Sequence, residues 1–146
     1  MSRKRISLIL AALATTGVAV VGASSAAQAT TAASKPAPQR VAAAADGYFY
    51  AWINSNFSGG SCRWAGNASN WGSCRNQASS VQNNGYAGTY DDVNMYWGVD
   101  YTGAWYCLPP GHYLRDMQYD YFNRGGSGLG QAMGDNVSSH KWTTSC

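Results

Sequence analysis

From residue 46 onward the apolar positions come in short aromatic runs set between Gly, Asn and Ser, and no long stretch repeats them at the 3.6-residue spacing of a helix. Rings and β-branched side chains suit a pleated, half-buried surface. Tyr48 to Ile53 and Val93 to Trp97 are the clearest predicted strands. Gly59-Gly60, Asn83-Asn84-Gly85 and Pro109-Pro110-Gly111 are predicted turns, because Gly and Asn tolerate positive φ and Pro fixes its own. The pattern predicts an all-β domain. Residues 1–29 are patterned differently: a basic start, an apolar run from Ile6 to Val21 and small residues ending in Ala27-Gln28-Ala29, the layout of a secretory signal. The run is short for a membrane span and no basic stop-transfer cluster follows it. Ser25-Ala26-Ala27 offers a second cleavage position, and the lack of an adjacent Arg pair favours general secretion over the twin-Arg route.

Composition sharpens the boundaries. Residues 30–45 have no aromatic residue and one branched aliphatic, Val41, so they bury too little to offset ordering entropy and read as a flexible Ala-rich leader. Residues 46–146 hold all 6 Trp, all 10 Tyr and all 3 Phe, but only eight Leu, Ile or Val. A domain of that size can enclose a core, and the counts predict one built from rings whose O–H and N–H groups need partners. The formal charge of +3 belongs to Arg3, Lys4 and Arg5; the remaining seven bases balance seven Asp, and the chain has no Glu. Without a basic stripe a nucleic-acid partner is not expected.

All four cysteines, Cys62, Cys74, Cys107 and Cys146, lie in this domain, and export favours disulfides. Three pairings are open; Cys62 with Cys74 and Cys107 with Cys146 is favoured because each bridge then stays within one half of the domain. Zinc is disfavoured, since no C-x-x-C spacing occurs and His112 and His140 are not placed as ligands.

The two halves are related. Trp52 to Gly59 aligns without gaps on Tyr96 to Gly103, each reading aromatic, four residues, aromatic, one residue, Gly: Trp52, Phe57, Gly59 and Tyr96, Tyr101, Gly103. A Ser pair follows in each half, Ser79-Ser80 and Ser138-Ser139. The Gly suits a folded hairpin with a backbone shape closed to other residues, the ring covers the turn, and a Ser hydroxyl ties the later strand back to it. This spacing resembles the Greek-key signature of the βγ-crystallin fold, in which two motifs, here about 46–90 and 91–146, make one β-sandwich.

More narrowly, residues 46–146 are similar to the secreted actinobacterial metalloproteinase-inhibitor family. The stretches that carry this are Gly47-Tyr48-Phe49-Tyr50, Asn56-Phe57-Ser58-Gly59, Ala78-Ser79-Ser80-Val81, Tyr101-Thr102-Gly103, Leu108-Pro109-Pro110-Gly111 and Val137-Ser138-Ser139-His140-Lys141-Trp142. The resemblance implies a secreted inhibitor whose partner is an extracellular peptidase; a monomer without a membrane contact once the signal is removed is expected.

A substrate-like inhibitor offers a protease a rigid loop, so little entropy is left to lose on association. The stretch between Cys62 and Cys74 is one such loop, with Arg63, Trp64 and Trp71 as large anchors among small polar residues; the competing expectation is that the two Trp cover the end of the sandwich. A second candidate is the surplus of about 15 residues in the later motif, placed in Gln118 to Gly130 with Tyr119, Tyr121 and Phe122. Its glycine run lacks the spacings of a phosphate-binding loop.

Crystallin-type calcium sites use two Asn or Asp, two variable residues, Ser or Thr, then Ser. The corresponding stretches are Arg75 to Ser80 and Gly134 to Ser139, which leave Asn76, Ser79, Asp135 and Ser138 as ligands but lose the first position in both. No cofactor is otherwise expected. Catalysis is disfavoured: with no Glu and two distant His, expected to be surface or turn residues, acid–base work would fall to Asp, and the adjacent Asp91 and Asp92 point to opposite faces of a strand. Two other readings remain: a structural or calcium-tuned stress protein, and a cell-wall polysaccharide-binding or toxin-like module whose exposed rings stack on sugars.

Overall fold

The computed structural model describes residues 39–40 and 44–146. The signal expected over residues 1–29 and most of the expected leader lie outside the described residues. Among the described residues eight strands are formed: β1 (Gln39–Arg40), β2 (Tyr48–Asn54), β3 (Ser58–Trp64), β4 (Ser80–Asn84), β5 (Asp92–Tyr96), β6 (Trp105–Leu108), β7 (His112–Leu114) and β8 (Ser139–Thr143), with single 3-10 turns at Gly72–Cys74 and Met117–Tyr119. They make a five-stranded sheet in the order β1-β7-β4-β2-β3 and a three-stranded sheet in the order β6-β5-β8, and every pairing is antiparallel. Two residues of the leader, Gln39 and Arg40, thus pair with Tyr113 and His112 and cover the outer edge of β7. No helix of the described residues is long and apolar enough to cross a membrane.

The sheets do not divide the chain at the boundary between its two motifs. Pro109-Pro110-Gly111 turns as predicted, with the His112 amide donating to the Pro109 carbonyl, but it carries the chain from β6 in the small sheet to β7 in the large one. In return the first motif sends residues 65–71 across to β8, where Ala68 pairs with His140. Each motif therefore completes the other's sheet.

Period-two alternation places Phe49 and Ala51 of β2 inside and Tyr48, Tyr50 and Trp52 outside. The outer rings cover one another: Tyr50 stacks on Trp52 at 5.5 Å, Trp52 meets Phe57 at 5.2 Å, and Phe57 meets Tyr113 at 5.3 Å. The Arg115 guanidinium closes that row over Phe57 and Tyr113. Inside, the core is less aromatic than the composition predicts. Phe49, Phe122 and Trp71 are buried, but Met95, Met117 and Met133 fill the space between them with Val81, Val93, Val137 and Leu108. The flexible thioether fits irregular gaps that a ring would leave, and each such side chain contributes roughly 1.5–3 kcal/mol by its burial.

Both predicted hairpins form, and their geometry is nearly superposable. Asn56 and Phe57 take φ of 58° and 59°, and Asp100 and Tyr101 take 52° and 61°; Gly59 and Gly103 follow at 77° and 78°. A Cβ at Gly59 would come within 2.8 Å of the Asn54 side chain, and one at Gly103 within 2.8 Å of the Ser127 carbonyl, so both positions require Gly. Ser80 Oγ donates to the Asn54 carbonyl at 2.7 Å and accepts from the Phe57 amide at 3.0 Å; Ser139 Oγ does the same with the Gly98 carbonyl at 2.6 Å and the Tyr101 amide at 3.1 Å. Two predicted turns are corrected. Gly59 and Gly60 lie inside β3, the turn itself being residues 55–57. Asn83 and Asn84 belong to β4, and Asn83 is a core residue whose amide donates to the Asp91 and Leu108 carbonyls and accepts from Gly85. A buried amide is tolerated there because all its groups are paired.

Candidate functional site

The loop between Cys62 and Cys74 is closed by a disulfide, and Cys107 is bonded to Cys146. Around the first bridge the chain is tied down from several sides. Trp71 is only 2 % exposed, and its Nε1–H donates to His140 Nδ1 at 2.9 Å. With Nδ1 accepting, the imidazole proton sits on Nε2, which donates to the Gly66 carbonyl at 2.9 Å. His140 is fully buried, and desolvation holds it neutral, lowering its pKa to about 4 against the smaller opposing effect of the Gly66 carbonyl. Trp64 stacks on Trp71 with centroids 5.0 Å apart, and both pack against Phe49.

Backbone bonds finish the attachment. Ala68 and His140 exchange amide-to-carbonyl bonds of 3.0 and 2.9 Å, the Trp71 amide donates to the Ser138 carbonyl, and the Asp100 amide donates to the Ser69 carbonyl at 2.7 Å. Asn67 Oδ1 accepts from the Trp142 amide at 2.8 Å, and Asn70 Oδ1 from the Gly72 amide at 2.9 Å. What is left outside is a rim of Arg63, Ala65, Gly66, Asn67, Ser69 and Asn70, all exposed. The loop is accessible along its rim and fixed along its base.

The expected anchors divide. Arg63 lies on the rim, its guanidinium 4.9 Å from the Tyr48 ring centre. Trp64 is half-buried, but Trp71 is a core residue, so the alternative that it closes the end of the sandwich is the correct one. In the inserted stretch Tyr119 and Tyr121 are exposed, whereas Phe122 is 1 % exposed and belongs to the core. That insertion is pinned to β6 by the Trp105–Arg124 bridge, with the Arg124 guanidinium over the Trp105 ring. His140, expected at the surface, is the hub of the loop, and no local signal marks it apart from its place directly after the second Ser pair. His112 starts β7, half-buried.

The four residues aligned with calcium ligands face one another across the two motifs. Asn76 and Asp135 share positive φ of 54° and 55°; Ser138 Oγ donates to Asn76 Oδ1 at 2.9 Å, and Ser79 Oγ donates to Asp135 Oδ1 at 3.3 Å. Arg75 Nε reaches Ser138 Oγ at 3.4 Å, placing a guanidinium where an ion would need oxygen, and Gly134 has no side chain at the matching position. Each half thus offers two such side chains, already bonded to those of the other half, so most of the six to eight oxygens a calcium ion takes would have to be backbone carbonyls or water beside a guanidinium. The donor set does not fit the ion. Asp92 lies beside Cys107 and Cys146, but the two sulfurs are joined in a disulfide and offer no thiolate to zinc.

Two antiparallel sheets, paired folded hairpins each locked by a Ser hydroxyl, and reciprocal exchange of one segment define a βγ-crystallin fold. The chain is similar to a solved structure described as "Evolution of the eye lens beta-gamma-crystallin domain fold", with 18% identity and a TM-score of 0.52 over 74% of this chain and 96% of that one. It is also similar to a βγ-crystallin from Ciona intestinalis, with 16% identity and a TM-score of 0.48 over 66% of this chain and 99% of that one. These likenesses concern the fold alone. No curated protein matches the chain. Residues 37–108 match the model of peptidase inhibitor family I36, which bears out the resemblance to an inhibitor family and takes in the whole disulfide loop.

Proposed function

We propose that the protein is a secreted inhibitor of extracellular peptidases, of the metallo class, which occludes its target with the rim of the Cys62–Cys74 loop. The observation that carries this reading is the contrast within the loop. Its rim is exposed, while its base is held by a disulfide, by the Trp71–His140 hydrogen bond and by the Ala68–His140 pair. A loop fixed before binding loses little further entropy on association, so the contact energy of a short rim is retained. The family match spans this loop and stops at residue 108, short of the insertion that carries Tyr119 and Tyr121, which favours the first candidate over the second. Occlusion needs no acid–base pair, no metal and no cofactor, and the protein is neither an enzyme nor a calcium-dependent device on this reading. Two disulfides suit an oxidising, extracellular setting.

The test is a titration of the purified protein against a thermolysin-type and a subtilisin-type protease. Saturable loss of activity of the first at micromolar inhibitor is expected, and no inhibition of either at that concentration overturns the reading. Ser69→Trp and Arg63→Ala change the rim without touching the base, and each is expected to weaken inhibition about tenfold or more while far-UV and near-UV circular dichroism stay unchanged. An inhibition constant indifferent to both would remove the loop from the interface. Trp71 is unsuited to this test, because its replacement disturbs the core.

A further inference from the structure

Most rings of the molecule are covered by other rings, as in the row from Tyr50 through Trp52 and Phe57 to Tyr113. One group is not. Tyr86 and Tyr90 are 67 % and 68 % exposed, and with Trp142 they line an open groove of about 480 Å³ beside the end of the disulfide loop. Two glycines make the groove possible. A Cβ at Gly47 would stand 2.7 Å from the Tyr86 ring and one at Gly85 2.5 Å from the Trp142 ring, so these rings lie directly against the backbone.

The polar groups of the groove are unequal in kind. Three backbone groups at its glycines are engaged: the Gly47 amide donates to the Asn84 carbonyl, the Gly85 amide to Asn83 Oδ1, and the Gly66 carbonyl accepts from His140. Asn67 Oδ1 is likewise taken by the Trp142 amide. The lining side chains add groups able to donate, with no partner among the described residues: the Asn67 amide NH2, the two Tyr hydroxyls, which can also accept, and the Lys141 ammonium. Lys141 is also the one charge in the lining, which contains no carboxylate.

We infer that this groove binds a carboxylate-bearing oligosaccharide. Ring faces stack on the C–H faces of pyranose units, the amide and hydroxyls bond the sugar oxygens, and Lys141 pairs with the carboxylate. A concave, donor-lined groove of this kind complements an acceptor-rich chain better than the convex, apolar anchor of a protein partner. The inference goes beyond the inhibitor reading: the groove shares Ala65, Gly66 and Asn67 with the rim of the loop, but Tyr86, Tyr90, Lys141 and Trp142, which carry the stacking and the charge, lie outside it.

The test is isothermal titration of the purified protein with a galacturonic acid tetramer, with cellotetraose as the neutral counterpart and an acidic hexapeptide as the protein-like one. Saturable binding of the uronic acid tetramer is expected, with quenching or enhancement of Trp fluorescence. Lys141→Met and Tyr90→Ala, both at exposed positions, are each expected to weaken it about tenfold, the loss of one charge-assisted or stacking contact. Gly85→Ala, which pushes Trp142 into the groove, is expected to abolish it, with circular dichroism checking that the fold persists. Absence of binding at millimolar tetramer, equal affinity for cellotetraose, or an affinity unchanged in Lys141→Met and Tyr90→Ala overturns the inference. Tighter binding of the hexapeptide, or loss of protease inhibition in Tyr90→Ala without any sugar binding, assigns the groove to a protein partner and overturns it equally.

Discussion

The two exchanged segments do the same topological task by different means. In the second motif β7 joins the large sheet as a regular strand, pairing Leu114 with Val81 and Tyr113 with Gln82 through backbone groups alone. In the first motif residues 65–71 reach the small sheet with one β-bridge at Ala68 and single backbone bonds at Ser69 and Trp71, to which the Trp71 indole, the His140 imidazole and the Asn67 amide add side-chain ties, while the Cys62–Cys74 bridge fixes the segment to its own motif. A strand shows a partner the same repeating edge whatever its sequence. A segment held by its side chains leaves its backbone irregular and its rim exposed, and it inherits the chemistry of the groups that hold it. The irregular exchange is therefore where sensitivity to conditions is concentrated, and it carries the proposed interface.

The sharpest way to break the contrast is to remove the indole at its centre. Trp71→Ala takes a buried ring from the core and leaves the His140 Nδ1 acceptor unsatisfied, and a loss of about 3–5 kcal/mol is expected from urea unfolding. A loss below about 1 kcal/mol would mean that the disulfide alone fixes the segment.

Acid is expected to act on one exchange and spare the other. Unfolded, His140 titrates at its ordinary value of 6.5; folded, it titrates at about 4. Between these values the unfolded chain binds a proton that the folded one does not, so its contribution to stability is complete above about pH 6.5 and falls as the pH drops towards 4. The full effect is on the order of 3 kcal/mol. Midpoints of urea unfolding between pH 7 and 4.5 should show this slope in the native protein and lose it in His140→Gln; a slope that persists in the variant would place the sensitive group elsewhere.

The smallest expected effect concerns what the motifs share. Ser80 and Ser139 make matching pairs of hydrogen bonds, so Ser80→Ala and Ser139→Ala should each cost about 1–3 kcal/mol, and by similar amounts. A marked inequality in thermal unfolding would show that the hairpins, alike in geometry, are unequal in load.

The parts of this structure that were legible in the sequence are those where geometry admits few residue types. Gly59 and Gly103 stand at positive φ against close neighbours, and Ser80 and Ser139 are hydroxyls that both donate and accept, so their spacing alone marked out two hairpins and the fold. The cysteine pairing followed from the same division of the chain into halves. What could not be read is which side of a loop faces inward. Trp64, Trp71 and Phe122 resemble exposed anchors in sequence, because nothing local records that residues 65–71 cross to the other sheet or that the insertion folds back on β6. Burial of His140 and Asn83 was hidden for a related reason: their partners lie 69 and 74 positions away in one case and 8 and 25 in the other. The groove at Tyr86, Tyr90 and Trp142 joins the loop after β4 to strand β8, far apart in the chain, and had no signature in either.

The exchange of segments also bears on ancestry and on folding. Because each motif closes the other's sheet, a lone motif has an open sheet and no enclosed core, and two identical copies would have had to meet in solution to make one. Joining them in one chain replaces a meeting that depends on concentration with one set by the length of the connection between Asn84 and Asp92. Once joined, the copies were at liberty to diverge, one keeping a plain strand and the other turning its crossing into a loop that could be specialised.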